Sequence, residues 1–548
     1  MDIKRTVLWV VFSFSLLLLW DSWMRHNGQA SMFSPEPAVT QQAPSTTTSK
    51  TGEQSLPQAS ADGVTHASVA DVANAPAATG QLITITTDVF KADINTVGGQ
   101  ITRLELLKHK DTVDADKNVV LFTSTATDRY IGQTGLIKGN FPNHNTIFTA
   151  QDGVRTLDNG QELQLVLTAV KDGVKLDKIF TFKRDNYAID IKHVVTNETA
   201  APIAPELYLR LVRDGNKPPG DNFFYHTFTG PAVYTPAEKF QKVDFEDIEK
   251  GKTTHETTSN GGWTALVQHY FVSAFIPPDG VTRTIVTQKV DNNLYAVDTI
   301  LPLGTIAPGA TDTMDVTLYV GPQESAVLEA LATGLELVKD YGIFTIIAQP
   351  IFWLMGHIYA LVGNWGWTII LLTLCIKLIF FPLSAASYRS MAKMKTVAPR
   401  VQAIRERYKG EPQKMNAEMM ALYKTEKINP LGGCLPMLIQ IPVFISLYWV
   451  LLASVEMRNA PWIGWIQDLA APDPYYILPV VMAVSMFIQT KLNPTPPDPI
   501  QAKIMLFMPI VFSVMFFFFP AGLVLYWIVN NILSIAQQYV ITKNIQKR

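Results

Sequence analysis

Three rhythms of apolar residues divide this chain of 548 residues. From Leu82 to about Val320 the period is two. Ile83 and Ile85 alternate with Thr84 and Thr86, Leu163, Leu165 and Leu167 with Gln164, Val166 and Thr168, and Ile189 and Ile191 with Ala188, Asp190 and Lys192. Met314, Val316, Leu318 and Val320 repeat the pattern. Alternation sends successive side chains to opposite faces, so these runs predict half-buried antiparallel strands. About 240 residues of them, punctuated by Gly and Pro, predict a large β-sandwich over residues 80–322. Over 323–363 the spacing turns near-helical, with Val327, Leu328, Leu331 and Leu335 set among Glu329, Glu336 and Lys339. The third rhythm is continuous apolarity. It fills 6–24, 364–383, 433–454, 474–491, 504–519 and 521–541, runs of the length that crosses a bilayer as a helix.

Residues 27–79, rich in Ala, Ser, Thr, Gln and Pro, have no such rhythm and read as a flexible linker. The run at 6–24 follows Lys4 and Arg5 and is either a removed signal or a permanent anchor. Asp21 and Arg25 separate it from the small-residue triplet Gly28-Gln29-Ala30, which favours an anchor over 1–26.

Charge sets the topology. The whole chain carries a net −2, but residues 26–343 carry −12 and residues 344–548 carry +9. Within 344–383 only His357 and Lys377 are ionisable by side chains of the His, Lys, Arg, Asp or Glu type. Those forty residues could hold two spans, or one span and a helix on the surface. Segment 384–430 has ten basic residues against four Glu, which belongs in the cytoplasm. That requires a single crossing at 364–383. Residues 344–363, interrupted by Pro350 and Gly356, are then expected to lie along the outer interface. The loop 455–473 suits the outer side, and Lys491, Lys503 and the basic tail 542–548 the inner. The sequence thus predicts an α-helical polytopic membrane protein of six spans, with 433–541 holding spans three to six. Both termini are cytoplasmic and the sandwich lies outside the membrane.

Cys375 and Cys434 lie in apolar segments, which leaves no disulfide framework and no zinc spacing. Phosphate-loop, HExxH, GxSxG and dinucleotide motifs are absent from the sequence, so no cofactor is expected. His226 and His269, in strand-like aromatic surroundings, read as structural. Lys377 is the informative residue. It lies eleven residues beyond Gly366, roughly 16 Å into the span at about 1.5 Å per residue. A charge there costs about 2.5–3.5 kcal/mol on insertion scales unless water or a partner receives it. Either it snorkels to the cytoplasmic headgroups, or it faces a hydrated groove open to the cytoplasm. Thr373 sits one turn before it. Trp527, Asn531, Ser534 and Gln538 form one stripe of the last span, with Asn530 and Gln537 beside it, while Ser485 and Gln489 form another polar pair. Such stripes line grooves or join helices by hydrogen bonds.

The segment 384–432 reads as a helical hairpin turned at Lys409-Gly410-Glu411-Pro412. Met391, Met394, Met415, Met419 and Met420 lie amid Arg405, Arg407 and other basic residues. Together they make a solvated basic hairpin, an adaptable surface for apolar segments, or a dock for a ribosome.

The stretches NWGWTIILLTLCIKLIFFPL (364–383), SMAKMK (390–395), EMMALYKTEKINPLGGCLPMLIQIPVFISLYWVL (418–451), DPYYILPVVMAV (473–484) and FFPAGLVLYWIVNN (518–531) resemble the YidC/Oxa/Alb family of membrane protein insertases. HTFTGPAVYTP (226–236) and GGWTALVQHYFVSAFIP (261–277) extend the resemblance to the sandwich. It implies a bacterial inner-membrane protein with a periplasmic β-supersandwich and a five-helix core around a hydrophilic groove. The groove residues it implies are Lys377, Thr373, Tyr526 and Trp527, and the polar stripes add Asn530, Asn531, Ser534 and Gln489 as expected groove residues. Lys377 stands where the family usually has Arg. The implied partners are nascent membrane proteins, the Sec translocon, the ribosome and membrane lipids. The tail ends at Arg548 without the long basic extension of some relatives, so strong tail-mediated ribosome binding is not expected. Two other functions fit the same rhythms: a solute transporter or channel lined by the polar stripes, and an anchored periplasmic binding or scaffold protein.

Overall fold

The computed structural model describes residues 80–546, apart from residues 112, 113, 115, 126, 219–226, 427, 429–434, 494–502, 504–506, 508 and 510–512. The first span expected at 6–24, the linker, His226 and seven of the sixteen residues of the span expected at 504–519 lie outside the described residues.

Among the described residues, eighteen strands form two nine-stranded sheets with antiparallel neighbours. One sheet has Arg129–Ile137, Glu206–Asp214 and Leu294–Pro302 as adjacent inner strands. The other sets Phe271–Ile276, Thr311–Pro322, Ala188–Asn197, Val174–Lys183 and Glu162–Lys171 side by side. Register aligns the alternating apolar positions: Ile191 faces Val316 on one neighbour and Phe180 on the other. A slip of one residue would turn the whole row outward, so this row of apolar partners fixes the pairing. The core between the sheets takes Ile85, Phe90, Leu104 and Phe122 from one and Leu165, Leu176, Phe180 and Leu318 from the other.

Half-burial holds for strands such as Glu162–Lys171, Val174–Lys183 and Ala188–Asn197 and fails for others. Gly230–Thr235 is buried at every position, and Glu206–Asp214 and Trp263–Gln268 nearly so. Their outward faces are covered. Helix α1 (Ser325–Leu331) and the short turn after it bring Leu328, Leu335 and Val338 onto Tyr234, Trp263 and Val267. On the other sheet Tyr208, Ile137 and Ile300 cluster outward, and the Tyr208 hydroxyl meets His144.

The helical part begins with α2 (Thr345–Val362), α3 (Trp365–Ile379) and α4 (Phe381–Arg407). The expected interruption at Pro350 and Gly356 does not occur: α2 runs through both. Pro350 falls in its second turn and forfeits one bond, to the Ile346 carbonyl, near an end where several donors lack helical partners anyway. The helix expected over 364–383 stops four residues early, at Ile379, and α4 leaves at 69°. Pro382 has no N–H for the Leu378 carbonyl, so the chain turns at Phe380.

Helix α5 (Pro412–Thr425) folds back on α4, followed by α6 (Leu435–Ala453), α7 (Ile477–Leu492) and α8 (Ala521–Gln546). Among the described residues α2 and α8 are long and apolar enough to cross a membrane, and α3 with α4 becomes a third candidate if the bent pair is one span. Helix α7 and residues 440–453 of α6 are shorter apolar stretches. Asp473, buried ahead of α7, accepts Trp465 Nε1–H, the Tyr475 N–H and the Leu478 N–H at 2.7–3.0 Å, which pins the helix start. Gly522 at the start of α8 lies where a Cβ would come within 3.1–3.2 Å of Ile369, the Leu469 carbonyl and Leu451, so its missing side chain permits the close crossing of α8 over α3 and α6.

Candidate functional site

Lys377 lies in the last turn of α3, half-buried, and its Nζ donates to Ser534 Oγ on α8 at 2.7 Å. The Ser534 hydroxyl in turn donates to the Asn530 carbonyl one turn earlier, also at 2.7 Å. Beside the ammonium lies a cavity of about 30 Å³, room for a water or two. Ile376, Lys377, Phe380, Leu383, Ser384, Gln440 and Val443 line it. The bend at Phe380 builds this chamber, because Lys377 comes from α3 and Ser384 from α4.

Two further polar pairs close the wall. Gln537 Nε2 donates to Ser384 Oγ at 3.0 Å, and Gln440 of α6 donates to the Tyr526 hydroxyl. Tyr526 is fully buried. Thr373 is buried too, but its hydroxyl donates to the Ile369 carbonyl at 2.7 Å, so it caps its own helix turn rather than reaching the lysine. Trp527 packs edge-on against Phe444 at 4.8 Å and tilted against Phe516 at 5.4 Å, and its buried Nε1–H has no acceptor among the described residues.

The rest of the stripe turns away. Asn531 Nδ2 donates to Ser485 Oγ at 3.0 Å, and Gln489 Nε2 to Gln538 Oε1 at 2.7 Å. Gln538 also donates to the Leu492 carbonyl at 3.2 Å. At about 100° per residue, Asn531 and Gln538 lie on one flank of the stripe and Gln537 and Asn530 on the other. Asn531, Gln489 and Gln538 therefore join α7 to α8, and only the opposite flank meets Lys377. Asn530 is buried on that flank and contributes its carbonyl to the Ser534 chain.

The sequence reading passed over Gln440 and Ser384. Gln440 could have been singled out as one of two polar residues, with Ser446, in the apolar α6. Ser384 carried no signal until the bend brought it back to the lysine.

In the hairpin, Met394 of α4 and Met419 of α5 pack with Val397, Val401, Leu422 and Tyr423 between the two helices. They are hairpin core, not open surface. Met391 and Met415 are half-buried, Met420 is half-exposed, Arg405 is half-buried and Arg407 is exposed. Arg400 pairs with Glu426 across the hairpin at 2.6 Å. His269 Nε2–H donates to the Leu452 carbonyl, 2.8 Å away, a structural contact between the sheet domain and α6. No group of three metal-ligating side chains occurs among the described residues.

A large two-sheet domain joined to an apolar helical bundle, with a cation and polar side chains inside the bundle, defines the class as a helical membrane protein with a large sheet domain. The profile of the YidC periplasmic domain matches residues 82–354, and that of the 60Kd inner membrane protein family matches residues 357–548. A membrane protein insertase YidC of Janthinobacterium sp. (strain Marseille) is 61% identical over 560 residues, covering 99% of each chain. That of Herminiimonas arsenicoxydans is 60% identical over 566 residues, covering 100% of this chain and 99% of its own. A crystal structure of an active YidC insertase with the first transmembrane domain resolved aligns with 84% of this chain and 95% of its own, at 19% identity and a TM-score of 0.40. The chain belongs to the YidC family of membrane protein insertases, with a sheet-rich periplasmic domain and a helical region in the inner membrane.

Proposed function

We propose that this protein inserts integral membrane proteins into the inner membrane by receiving the leading polar segment of a nascent chain beside Lys377. The observation that carries the reading is the ammonium of Lys377, held by a neutral hydroxyl beside a cavity whose wall carries Ser384 and Gln440 within an apolar bundle. A cation held only by a hydroxyl keeps most of its attraction for an acidic tail. Ser384, Gln440, Ser534 and Gln537 stand in for the water that a polar segment gives up. The apolar segment behind it then partitions into lipid, gaining about 25 cal/mol per Å² buried. The protein lowers the barrier and the bilayer supplies the driving force, so no nucleotide or metal is required.

In this reading the chain crosses the membrane six times, with both termini in the cytoplasm. The basic hairpin of α4 and α5 faces the ribosome, and the bundle works alone or beside the Sec translocon. The test is to deplete the protein from cells and replace it with Lys377→Arg, Lys377→Ala or Lys377→Glu. An acidic-tailed single-span substrate should insert with Arg, poorly with Ala and not with Glu. Full insertion by the Glu variant would refute the role of the charge.

A further inference from the structure

The sheet domain and the helical bundle exchange core residues at their junction. Val455, in the turn after α6, is buried in the core between the two sheets. Tyr341, from the segment that leaves the sheets, is buried in the core of the bundle. Lys339 sits between these two crossings. Its side chain is 1% exposed and its Nζ donates to both carboxylate oxygens of Glu456, at 2.7 and 3.0 Å. The same ammonium lies 4.4 Å from the centre of the Phe352 ring on α2. One lysine thus ties the periplasmic domain to two helices at once.

The other contacts at this seat converge on the same end of α6. Arg458 lies over the rings of Tyr270 and Phe271 at 5.5 and 5.7 Å and donates to the Lys110 carbonyl. Gly342, at φ +64°, sits where a Cβ would come within 2.8 Å of the Trp449 ring. Pro442 is followed by an unbroken helical stretch, with no proline to kink it between Val443 and Ala453. Its far end, Val443, lines the cavity beside Lys377.

We propose that Lys339 and Glu456 are positioning residues. Their ion pair fixes α6 axially against the periplasmic domain and thereby sets the wall of the Lys377 cavity. This deepens the insertase reading and rests on it. Breaking a buried pair leaves one charge without compensation, which forces the seat to open, whereas exchanging the two charges keeps the attraction.

The experiment uses the full-length protein in liposomes, with Glu456→Gln, Lys339→Met and the exchange K339E/E456K. Three quantities are read: insertion of a single-span substrate, amide hydrogen exchange across residues 443–453, and thermal loss of the β-sheet circular dichroism. The expected result is about a fivefold loss of insertion in each single variant, the effect of removing one modest coupling. Faster exchange over 443–453 should accompany it with the sheet signal melting at the parental temperature, and K339E/E456K should recover both insertion and exchange. Parental insertion by Glu456→Gln would overturn the proposal. So would a loss of insertion that appears only together with earlier melting of the sheets, or single variants that exchange at the parental rate. If the parental protein inserts no more than empty liposomes do, the insertase reading itself fails, while the exchange measurement still decides whether the pair holds α6.

Discussion

Lys178 occupies the centre of the sandwich, with its Nζ donating to the carbonyls of Gly98 and Thr134 at 2.6 and 2.7 Å and lying 4.8 Å from the Phe148 ring. Burial draws its pKa from 10.5 down to about 7. The unfolded chain therefore binds a proton that the folded chain does not hold between about pH 7 and 10.5, so this residue makes stability rise with pH across that window. The slope is at most about 1.4 kcal/mol per pH unit and vanishes below the folded value. Unfolding of the full-length protein in detergent, followed at pH 7, 8 and 9, should show a steeper rise than in Lys178→Met. Equal slopes would refute the assignment. Lys377 differs in kind: it stands out from the sequence as the lone charge of an apolar run, whereas Lys178 sits in an ordinary alternating strand and gives no warning. Neither lysine's acceptors were legible. Ser534 is 157 residues from Lys377, and Gly98 is 80 from Lys178.

Among the elements, α8 shows how far helical periodicity carries. A spacing of 3.6 correctly gathers Trp527, Asn531, Ser534 and Gln538 into one stripe, but the flanks of that stripe are divided by neighbours the period cannot name. Ser534 meets α3, while Asn531 and Gln538 meet α7. The two flanks should respond differently. Gln538→Leu removes interhelical contacts to Gln489 and Leu492 of about 0.6 kcal/mol each and should leave insertion near the parental level. Ser534→Val removes the acceptor of the Lys377 ammonium and should lower insertion about tenfold, the effect of stranding one charged donor. Comparing the two variants in the same depleted cells decides the point, and equal effects would place the site on the wrong flank. The bend at Phe380 was half legible: Pro382 marks a helix boundary, but the eye reads the apolar run through it because hydrophobicity does not change there. The alternating strands were the most legible elements, since Ile83, Leu165, Ile191 and Leu318 are buried as their period requires. Glu206–Asp214, Gly230–Thr235 and Trp263–Gln268, covered on both faces, were not. Their outward cover comes from α1 and from loops distant in sequence.

At the scale of the molecule, charge divides the chain as the fold does. The acidic segment is the two-sheet domain, and the basic one carries the bundle and the α4–α5 hairpin. What no composition could foretell is the interlocking of the two, through Val455, Tyr341 and the Lys339–Glu456 pair. Burial lowers the pKa of Lys339, and the carboxylate of Glu456 opposes that fall, so the pair is held by its own attraction. The periplasmic domain is then a brace for the bundle as well as a surface of its own. In the proposed mechanism a polar segment of the incoming chain enters the space between α3, α4 and α6 beside Lys377. A photoreactive amino acid at position 443, on the cavity wall, compared with one at position 480, exposed on α7, measures this on ribosome-bound nascent chains of stepwise length. The expected result is crosslinking from 443 to the leading polar tail at short chain lengths, with position 480 reaching only the apolar segment at greater lengths. Crosslinks to the polar tail from 480 and none from 443 would contradict the account.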